Sequence, residues 1–149
     1  MNLFSGVRNS YLADGLSDEQ VQAIVQVAEE IRTVDLQEVI TENDAAQDIF
    51  ILLEGKVRVT TIHGDPIARL QAGAILGELA LFERAERSAT VISDGEATLL
   101  KLSAGKFNAL LDEHPQIGLT VLRNIGKTLC QRLRSSNLQL EAALAFPLL

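Results

Sequence analysis

The stretch GAILGELALFERAERSATV, residues 73–91, holds the most informative local pattern in this chain. Gly73 and Gly77 lie four residues apart and precede a short apolar turn, Leu79 to Phe82, which a charged loop follows. A glycine at the entrance to a helical turn lets the backbone approach a ligand closely, and the first amides of the turn lack intrahelical partners. These amides and the positive end of the helix dipole favour an anion. The pattern therefore predicts an anion site at Gly77–Leu79.

Polar side chains beside this turn complete the predicted site. Arg87 offers an always-ionised guanidinium whose fork geometry suits a phosphate. Ser88 adds a hydroxyl and, with Ala89, main-chain N–H groups, while Glu78 is an acceptor for sugar hydroxyls. Each residue also has a local explanation, since a glutamate in a first turn serves the helix dipole and residues 83–87 can form a solvated charged loop. Their order and spacing together indicate a sugar and phosphate site.

Short β-rich runs lie on both sides of residues 73–91. They are Val39-Ile40, Ile49–Leu53, Val57–Val59, Ile67–Leu70, Ala89–Ile92 and Ala97–Leu100. Breaks are predicted at residues 43–44, 54–55 and 94–95, and His63-Gly64-Asp65 signals a hairpin. Many short strands separated by turns are typical of an antiparallel sandwich or roll.

Segments with helical periodicity lie before and after these strands. Ser17 to Gln20 reads as a capping box, and the apolar spacing behind it to Ile31 predicts a helix of roughly four turns. Ser103 is the expected cap of a short helix, and Pro115 opens a long helix that continues into the 140s. We therefore predict an α+β fold in a single domain, 1–149. It comprises an antiparallel β-roll (double-stranded β-helix or jelly roll) at about 33–102, an N-terminal helix, and C-terminal helices at about 103–146.

The long helix carries an apolar seam whose members alternate three and four residues apart. These are Gly126, Leu129, Leu133, Ser136, Leu140 and Ala143. Such spacing is typical of a helix–helix dimer, so we predict a homodimer through this helix. The alternative is that the stripe packs on the chain's own roll, a purpose that Leu122 and Ile125 can already serve.

Composition limits the function classes. The 149 residues carry a formal net charge of −7, which repels phosphate backbones, so binding to nucleic acid by this chain alone is not expected. The single cysteine, Cys130, excludes an intramolecular disulfide. Residues 1–15 hold no apolar run long enough for a signal peptide, and no run of roughly 18 apolar residues occurs, so we expect no membrane contact and a cytoplasmic location.

Enzymatic and metal motifs are not evident. Gly126-Lys127-Thr128 imitates the end of a P-loop, but Val121 stands where that motif needs a glycine. The two histidines, His63 and His114, fall in a predicted turn and before a proline, which does not suit a metal site. We therefore expect neither an enzyme nor a metal or cofactor.

The order GELALF at 77–82, four residues, then RSATV at 87–91 resembles the phosphate-binding cassette of cyclic-nucleotide-binding domains, as in catabolite activator proteins and regulatory subunits of cyclic-AMP-dependent protein kinase. The resemblance extends over nearly the whole chain. It implies a non-enzymatic sensor that binds a cyclic nucleotide, cyclic AMP above all, and relays binding through the C-terminal helix. Cyclic GMP and a cyclic dinucleotide remain open as ligands.

The resemblance also implies roles for individual residues. Glu78 would accept from the ribose 2′-hydroxyl, and Arg87 would pair with the cyclic phosphate. The full ligand-binding segment implied at this end is Gly77, Glu78, Leu79, Arg87, Ser88, Ala89 and Thr90.

The remaining implied contacts come from other parts of the chain. Apolar side chains at Ile40, Val59, Ile67 and Leu70 would line the pocket. On the long helix Arg132 would face Glu78, and Ser136 and Asn137 would touch the base, either within the chain or across a dimer.

Two other interpretations stay open from the sequence. The chain is the sensing part of a transcription regulator without its helix-turn-helix, or it is a degenerate domain that serves as a protein-interaction scaffold. The apolar end, with Leu144, Phe146, Leu148 and Leu149, would meet a downstream partner or dock on the chain's own surface. The loop 43–48 lacks the glycines usual in the family.

Overall fold

A computed structural model describes residues 2–40, 47–61, 63–82, 87 and 89–145. The elements in chain order are α1 (Leu3–Arg8), a first 3₁₀ turn (Tyr11–Ala13), α2 (Asp18–Gln26), β1 (Ala28–Thr33), β2 (Glu38–Ile40), β3 (Ile49–Thr60), β4 (Pro66–Gln71), β5 (Ile75–Leu76), a second 3₁₀ turn (Glu78–Leu81), β6 (Thr90–Leu102), α3 (Ala104–Glu113) and α4 (Pro115–Ala145).

The two long strands β3 and β6 organise the roll. They pair antiparallel along nearly their whole length, and the sheet order is β1-β6-β3-β4, with β2 on β6 and β5 on β3. The amino-terminal half of β3 pairs with the carboxyl-terminal half of β6, and this pair is flanked by β5 on the β3 side and by β1 on the β6 side. The carboxyl-terminal half of β3 pairs with the amino-terminal half of β6, and this pair is flanked by β4 on the β3 side and by β2 on the β6 side. This is the antiparallel roll flanked by helices that the sequence predicts.

The chain does not reverse direction at residues 54–55 and 94–95, so the strand breaks predicted there are wrong. Both positions lie inside continuous strands, where the pairing register of β3 with β6 shifts. Gly55 and Gly95 have φ of +88° and +82°. A Cβ on Gly55 would lie 2.5 Å from the Glu96 carbonyl oxygen, so the two strands bend closely around each other there. A glycine in a β-rich run thus marks a bend here rather than an end.

The N-terminal helix is shorter than predicted. Ser17 and Gln20 form the expected capping box, but α2 ends at Gln26 and β1 begins at Ala28, ahead of the predicted start of the roll. Ala28 lies opposite Leu102 and Ile31 opposite Leu99 in the antiparallel pair with β6. Tertiary pairing therefore overrides the helical spacing of these two residues.

Residues 49–53 of β3 are buried on both faces of the sheet, which explains their unbroken apolar run. Ile49, Ile51 and Leu53 face the helices and pack in one cluster with Phe107 and the first turns of α4. The alternate residues, Phe50 and Leu52, face the inside of the roll and pack with its other strands. Period-two alternation thus separates a helix-side core from a roll-side core.

The long helix α4 has two unlike halves. Its first half is anchored by Ile117, Val121 and Ile125, all buried in the helix-side core. From residue 130 to residue 144 every side chain is exposed. Leu133 and Leu140 of the predicted seam are 62% and 58% exposed, so these two do not pack on the chain's own roll. The homodimer through this seam stays a prediction.

Neither α4 nor any other helix in the described part of the chain carries an apolar stretch that could span a bilayer.

Candidate functional site

Gly77 begins the site at the junction of β5 and the second 3₁₀ turn. Its φ of +82° lies in the left-handed region that favours glycine, and it caps the turn that starts at Glu78. A Cβ at this position would stand 2.7 Å from Arg87 Nη1 and 2.8 Å from the Asp48 carbonyl oxygen. Conformation and close approach therefore both require glycine at position 77.

The Arg87 guanidinium lies directly against this glycine. Nη1 donates to the Gly77 carbonyl oxygen at 3.4 Å, and Nη2 donates to the carbonyl oxygen of Asp48. The Asp48 carboxylate is itself fixed, since Oδ1 accepts from the Ala104 amide at 2.9 Å and Oδ2 lies 3.6 Å from Lys101 Nζ. Main-chain carbonyls of two separate segments thus hold the guanidinium in place.

Glu78, the residue after Gly77, places a buried carboxylate in the site. Its side chain is only 7% exposed, and Oε1 accepts from Arg132 Nη1 at 2.8 Å. Arg132 reaches in from α4 with a side chain that is 56% exposed. The pair joins the second 3₁₀ turn to the long helix, as the family resemblance implies for these two residues.

A cavity of about 640 Å³ opens beside these groups. Its lining residues are Ile40, Val59, Leu70, Ala74, Ile75, Leu76, Gly77, Glu78, Leu79, Ala80, Arg87, Ala89, Val91, Leu129 and Arg132. The size suits a small molecule, and a mostly apolar wall with a few convergent polar groups is typical of a ligand site.

Strand register explains the apolar wall. Ile40 of β2 and Val59 of β3 both lie opposite Val91 of β6, so these three side chains share one face of the sheet. Leu70 of β4 lies opposite Val57, which is two residues from Val59 and therefore on the same face of the sheet. The wall is thus built from four neighbouring strands of the roll.

The structure gathers most of the predicted site residues around this cavity. Those that line it are Gly77, Glu78, Leu79, Arg87, Ala89, Ile40, Val59, Leu70 and Arg132. Thr90 begins β6 opposite Thr60 and does not line the cavity. Ser88 lies outside the described residues.

Ile67, which the family resemblance places in the pocket, lies away from the cavity wall in this structure. Ile67 is 59% exposed and is absent from the cavity wall. It sits on β4 between Pro66 and Ala68, and Ala68 is the residue opposite Val59. The register of β3 with β4 shifts at this point, which leaves Ile67 without a residue opposite it, so its contact with a ligand stays a prediction.

Ser136 and Asn137 also lie away from the cavity. Both are exposed on α4, four and five residues beyond Arg132. At 1.5 Å rise per residue they stand roughly 6–8 Å further along a helix that has already passed the site. Within this chain neither contributes to the cavity wall, so their contact with a base stays a prediction.

Two residues at or near the site, Leu129 and Tyr11, are not predicted as site residues from the sequence. Leu129 lines the cavity one turn before Arg132, and that i, i+3 spacing could have identified it. Tyr11 belongs to the first 3₁₀ turn, and burial, followed by the charge of Glu78, raises the pKa of its hydroxyl to about 12, while Arg132 acts to lower it. Nothing in the sequence links Tyr11 to residues so far along the chain.

Comparison with known proteins bears on this cavity. The sequence model of the cyclic nucleotide-binding domain matches residues 35–114, which include β2 to β6 and every cavity residue except those on α4. The chain belongs to the cyclic nucleotide-binding domain family. It is a domain of the type found in catabolite activator proteins.

Individual family members agree with this assignment. A cyclic nucleotide-binding domain from Methylobacillus flagellatus superposes with a TM-score of 0.80 at 25% identity, covering 89% of this chain and 79% of that one. The cyclic AMP receptor protein of Thermus thermophilus is 27% identical over 139 residues, covering 91% of this chain and 62% of that protein.

Glutaminase 1 of Bradyrhizobium diazoefficiens is 32% identical over 131 residues, which are 87% of this chain and 21% of the glutaminase. The chain thus spans about a fifth of that relative's length. The likeness is to one domain-sized portion of a longer protein.

Proposed function

We propose that this cyclic nucleotide-binding domain binds cyclic AMP in the 640 Å³ cavity and acts as a regulatory module. One observation carries the proposal: the Arg87 guanidinium, held against Gly77, and the buried carboxylate of the adjacent Glu78 line the same mostly apolar cavity. A cyclic nucleotide presents an anion, a sugar hydroxyl and an apolar ring system, and these three features correspond to the three parts of the site.

The phosphate binds at Arg87. Two carbonyl oxygens fix the guanidinium before the ligand arrives, so little side-chain entropy is lost when the phosphate pairs with it. The backbone at Gly77 has no side chain to keep a ligand away, and the first amides of the second 3₁₀ turn are available as further donors. Ser88 and Ala89 complete the cradle in this proposal.

The ribose binds at Glu78. A carboxylate accepts on both oxygens, and Arg132 occupies Oε1, which leaves Oε2 for the 2′-hydroxyl. The base lies on the strand wall of Ile40, Val59 and Leu70, where Leu129 covers it from α4. The name of the Thermus thermophilus relative supports cyclic AMP as the nucleotide.

The output passes through α4. The Glu78–Arg132 pair joins the ligand turn to this helix, so closure of the turn on a nucleotide moves α4 with it. The exposed distal half of α4 then presents its leucines to a second copy in a homodimer or to a downstream partner. In this proposal residues 1–149 form one non-enzymatic domain that works in the cytoplasm.

A thermal-shift panel tests the proposed function. Cyclic AMP, cyclic GMP, a cyclic dinucleotide and 5′-AMP are each added to the purified chain, and its melting temperature is recorded. A ligand that binds only the folded state raises the melting temperature. At a concentration one hundred times its Kd, such a ligand stabilises the folded state by about 2.7 kcal/mol. We expect the largest rise with cyclic AMP and little with 5′-AMP. No rise with any cyclic nucleotide would instead favour the scaffold interpretation.

A further inference from the structure

Tyr11 is the only tyrosine of the chain, which has no tryptophan. Its ring packs beside the helix-side core, against which Leu81 of the second 3₁₀ turn and Leu129 of α4 also pack. The hydroxyl oxygen is buried, and within the described ranges it has no hydrogen-bond partner. An unpartnered buried hydroxyl costs free energy, and its presence in a folded protein calls for an explanation.

The charges of the ribose subsite act on this hydroxyl. The Glu78 carboxylate favours its protonated form and the Arg132 guanidinium disfavours it, while burial raises the pKa most, to about 12 in total. The phenol therefore stays protonated at neutral pH and can donate a hydrogen bond. Glu78 Oε2, for its part, has no hydrogen bond to any group that the structure describes. The Tyr11 hydroxyl, a donor, and Glu78 Oε2, an acceptor, thus lack hydrogen-bond partners among the described residues and lie close enough to interact electrostatically.

The first 3₁₀ turn, which carries Tyr11, is fastened to α4. Asn124 Nδ2 donates to the carbonyl oxygens of Leu12 and Asp14 at 2.9 Å and 2.8 Å. Asn124 lies eight residues before Arg132, about two turns of the same helix. A shift of α4 toward Glu78 therefore carries the Tyr11 hydroxyl along with the Arg132 guanidinium.

We propose that Tyr11 is a positioning residue of the ribose subsite, whose hydroxyl donates a hydrogen bond to the Glu78 carboxylate in the nucleotide-bound state. This role rests on the proposed function, because the ribose 2′-hydroxyl is the group that the oriented Glu78 carboxylate would receive. A carboxylate has about four acceptor positions, which suffice for Arg132, Tyr11 and the 2′-hydroxyl at once. Tyr11 would hold the carboxylate in the orientation that receives the sugar.

The test compares wild type and Tyr11→Phe with two ligands, cyclic AMP and 2′-deoxy cyclic AMP, by calorimetric titration. The variant removes one oxygen atom and leaves the ring packing in place. We expect about a tenfold loss of affinity for cyclic AMP, the worth of a hydrogen bond to a charged group. For 2′-deoxy cyclic AMP we expect equal affinity in both proteins, since no hydroxyl remains for Glu78 to receive. The unliganded melting temperature should not fall, because the lost hydroxyl had no partner.

Each other outcome overturns the role of Tyr11. Equal binding of cyclic AMP by both proteins shows that the hydroxyl makes no contact that matters. An equal loss for both ligands shows that Tyr11 supports only the packing. If wild type binds neither ligand, the proposed function falls, and the role of Tyr11 with it.

A second readout uses the single tyrosine directly. The ¹³Cζ chemical shift of Tyr11 reports the hydrogen bonding of its own hydroxyl without interference from another tyrosine. We expect it to move further on addition of cyclic AMP than of 2′-deoxy cyclic AMP. Identical shifts with the two ligands would contradict the proposed hydrogen bond.

Discussion

The two walls of the cavity are built in different ways. The strand wall, with Val59 and Val91, belongs to the paired strands β3 and β6, which the apolar clusters of the roll support. The helical wall consists of the second 3₁₀ turn and α4, where Leu79 is 49% exposed and the Glu78–Arg132 ion pair ties the two parts together. A wall held by extensive burial stays in place, whereas one held by few contacts can shift when a ligand adds new ones. In the proposed function, nucleotide recognition and the signal through α4 therefore meet where the two walls join, at Gly77.

The largest expected effect comes from Arg87, at that junction. Arg87→Ala leaves a bound phosphate without its charge partner, which costs about 3–5 kcal/mol, or roughly a thousandfold in affinity for cyclic AMP. Arg69→Ala is the matched control. Arg69 is exposed on β4 and does not line the cavity, so this substitution removes the same charge from a position outside the site. Calorimetric titration should show near-complete loss for the first variant and an affinity close to wild type for the second. Equal affinities in both variants would refute the role of Arg87.

The strand wall is tested at its bend. Gly55→Ala places a methyl group 2.5 Å from the Glu96 carbonyl oxygen, at a residue whose φ is already positive. Gly64→Ala is the control, since Gly64 has a similar φ of +80° but nothing within 4 Å of the added atom. We expect Gly55→Ala to lower the free energy of unfolding by about 1–3 kcal/mol more than Gly64→Ala does. Equal losses in urea titrations would mean that the strands can separate freely at the bend.

The helical wall should respond more mildly. Arg132→Ala removes the described partner of the buried Glu78 carboxylate, but water can reach a site whose arginine is 56% exposed. We therefore expect a loss of only about 1 kcal/mol of stability. Arg134→Ala, two residues further along α4 and exposed, should cost almost nothing. Thermal melts of both variants measure the difference, and indistinguishable melting temperatures would show that the ion pair does not hold the wall.

A smaller effect is expected at alkaline pH. The pKa of Tyr11 is about 12 in the folded chain against an ordinary value of 10, so the folded state holds this proton more tightly than the unfolded state. Its contribution is therefore full below pH 10 and is lost as the pH rises through about 12. Relative to Tyr11→Phe, wild type should lose stability across that window, by about 1 kcal/mol because the ring is only half buried. Parallel stability curves for the two proteins from pH 9 to pH 12 would contradict the shift.

The local part of the site could be predicted from sequence, because Gly77, Glu78 and Arg87 lie within eleven consecutive residues whose order indicates sugar and phosphate binding. What sequence could not provide depends on pairing between distant segments. The same glycine signal at Gly55 fits a turn or a bend, and only the register with β6 decides between them. Likewise only the register with β3 shows that Leu70 lies opposite Val57, whereas Ile67 falls at a register shift and is exposed.

Hydrogen exchange of the whole chain, with and without saturating cyclic AMP, tests the contrast between the two walls most directly. We expect slower exchange at residues 77–82 and in α4 around Leu129 and Arg132, with little change in β3 and β6, which are already protected. Exchange that is identical with and without the nucleotide, or protection confined to the strands, would contradict it.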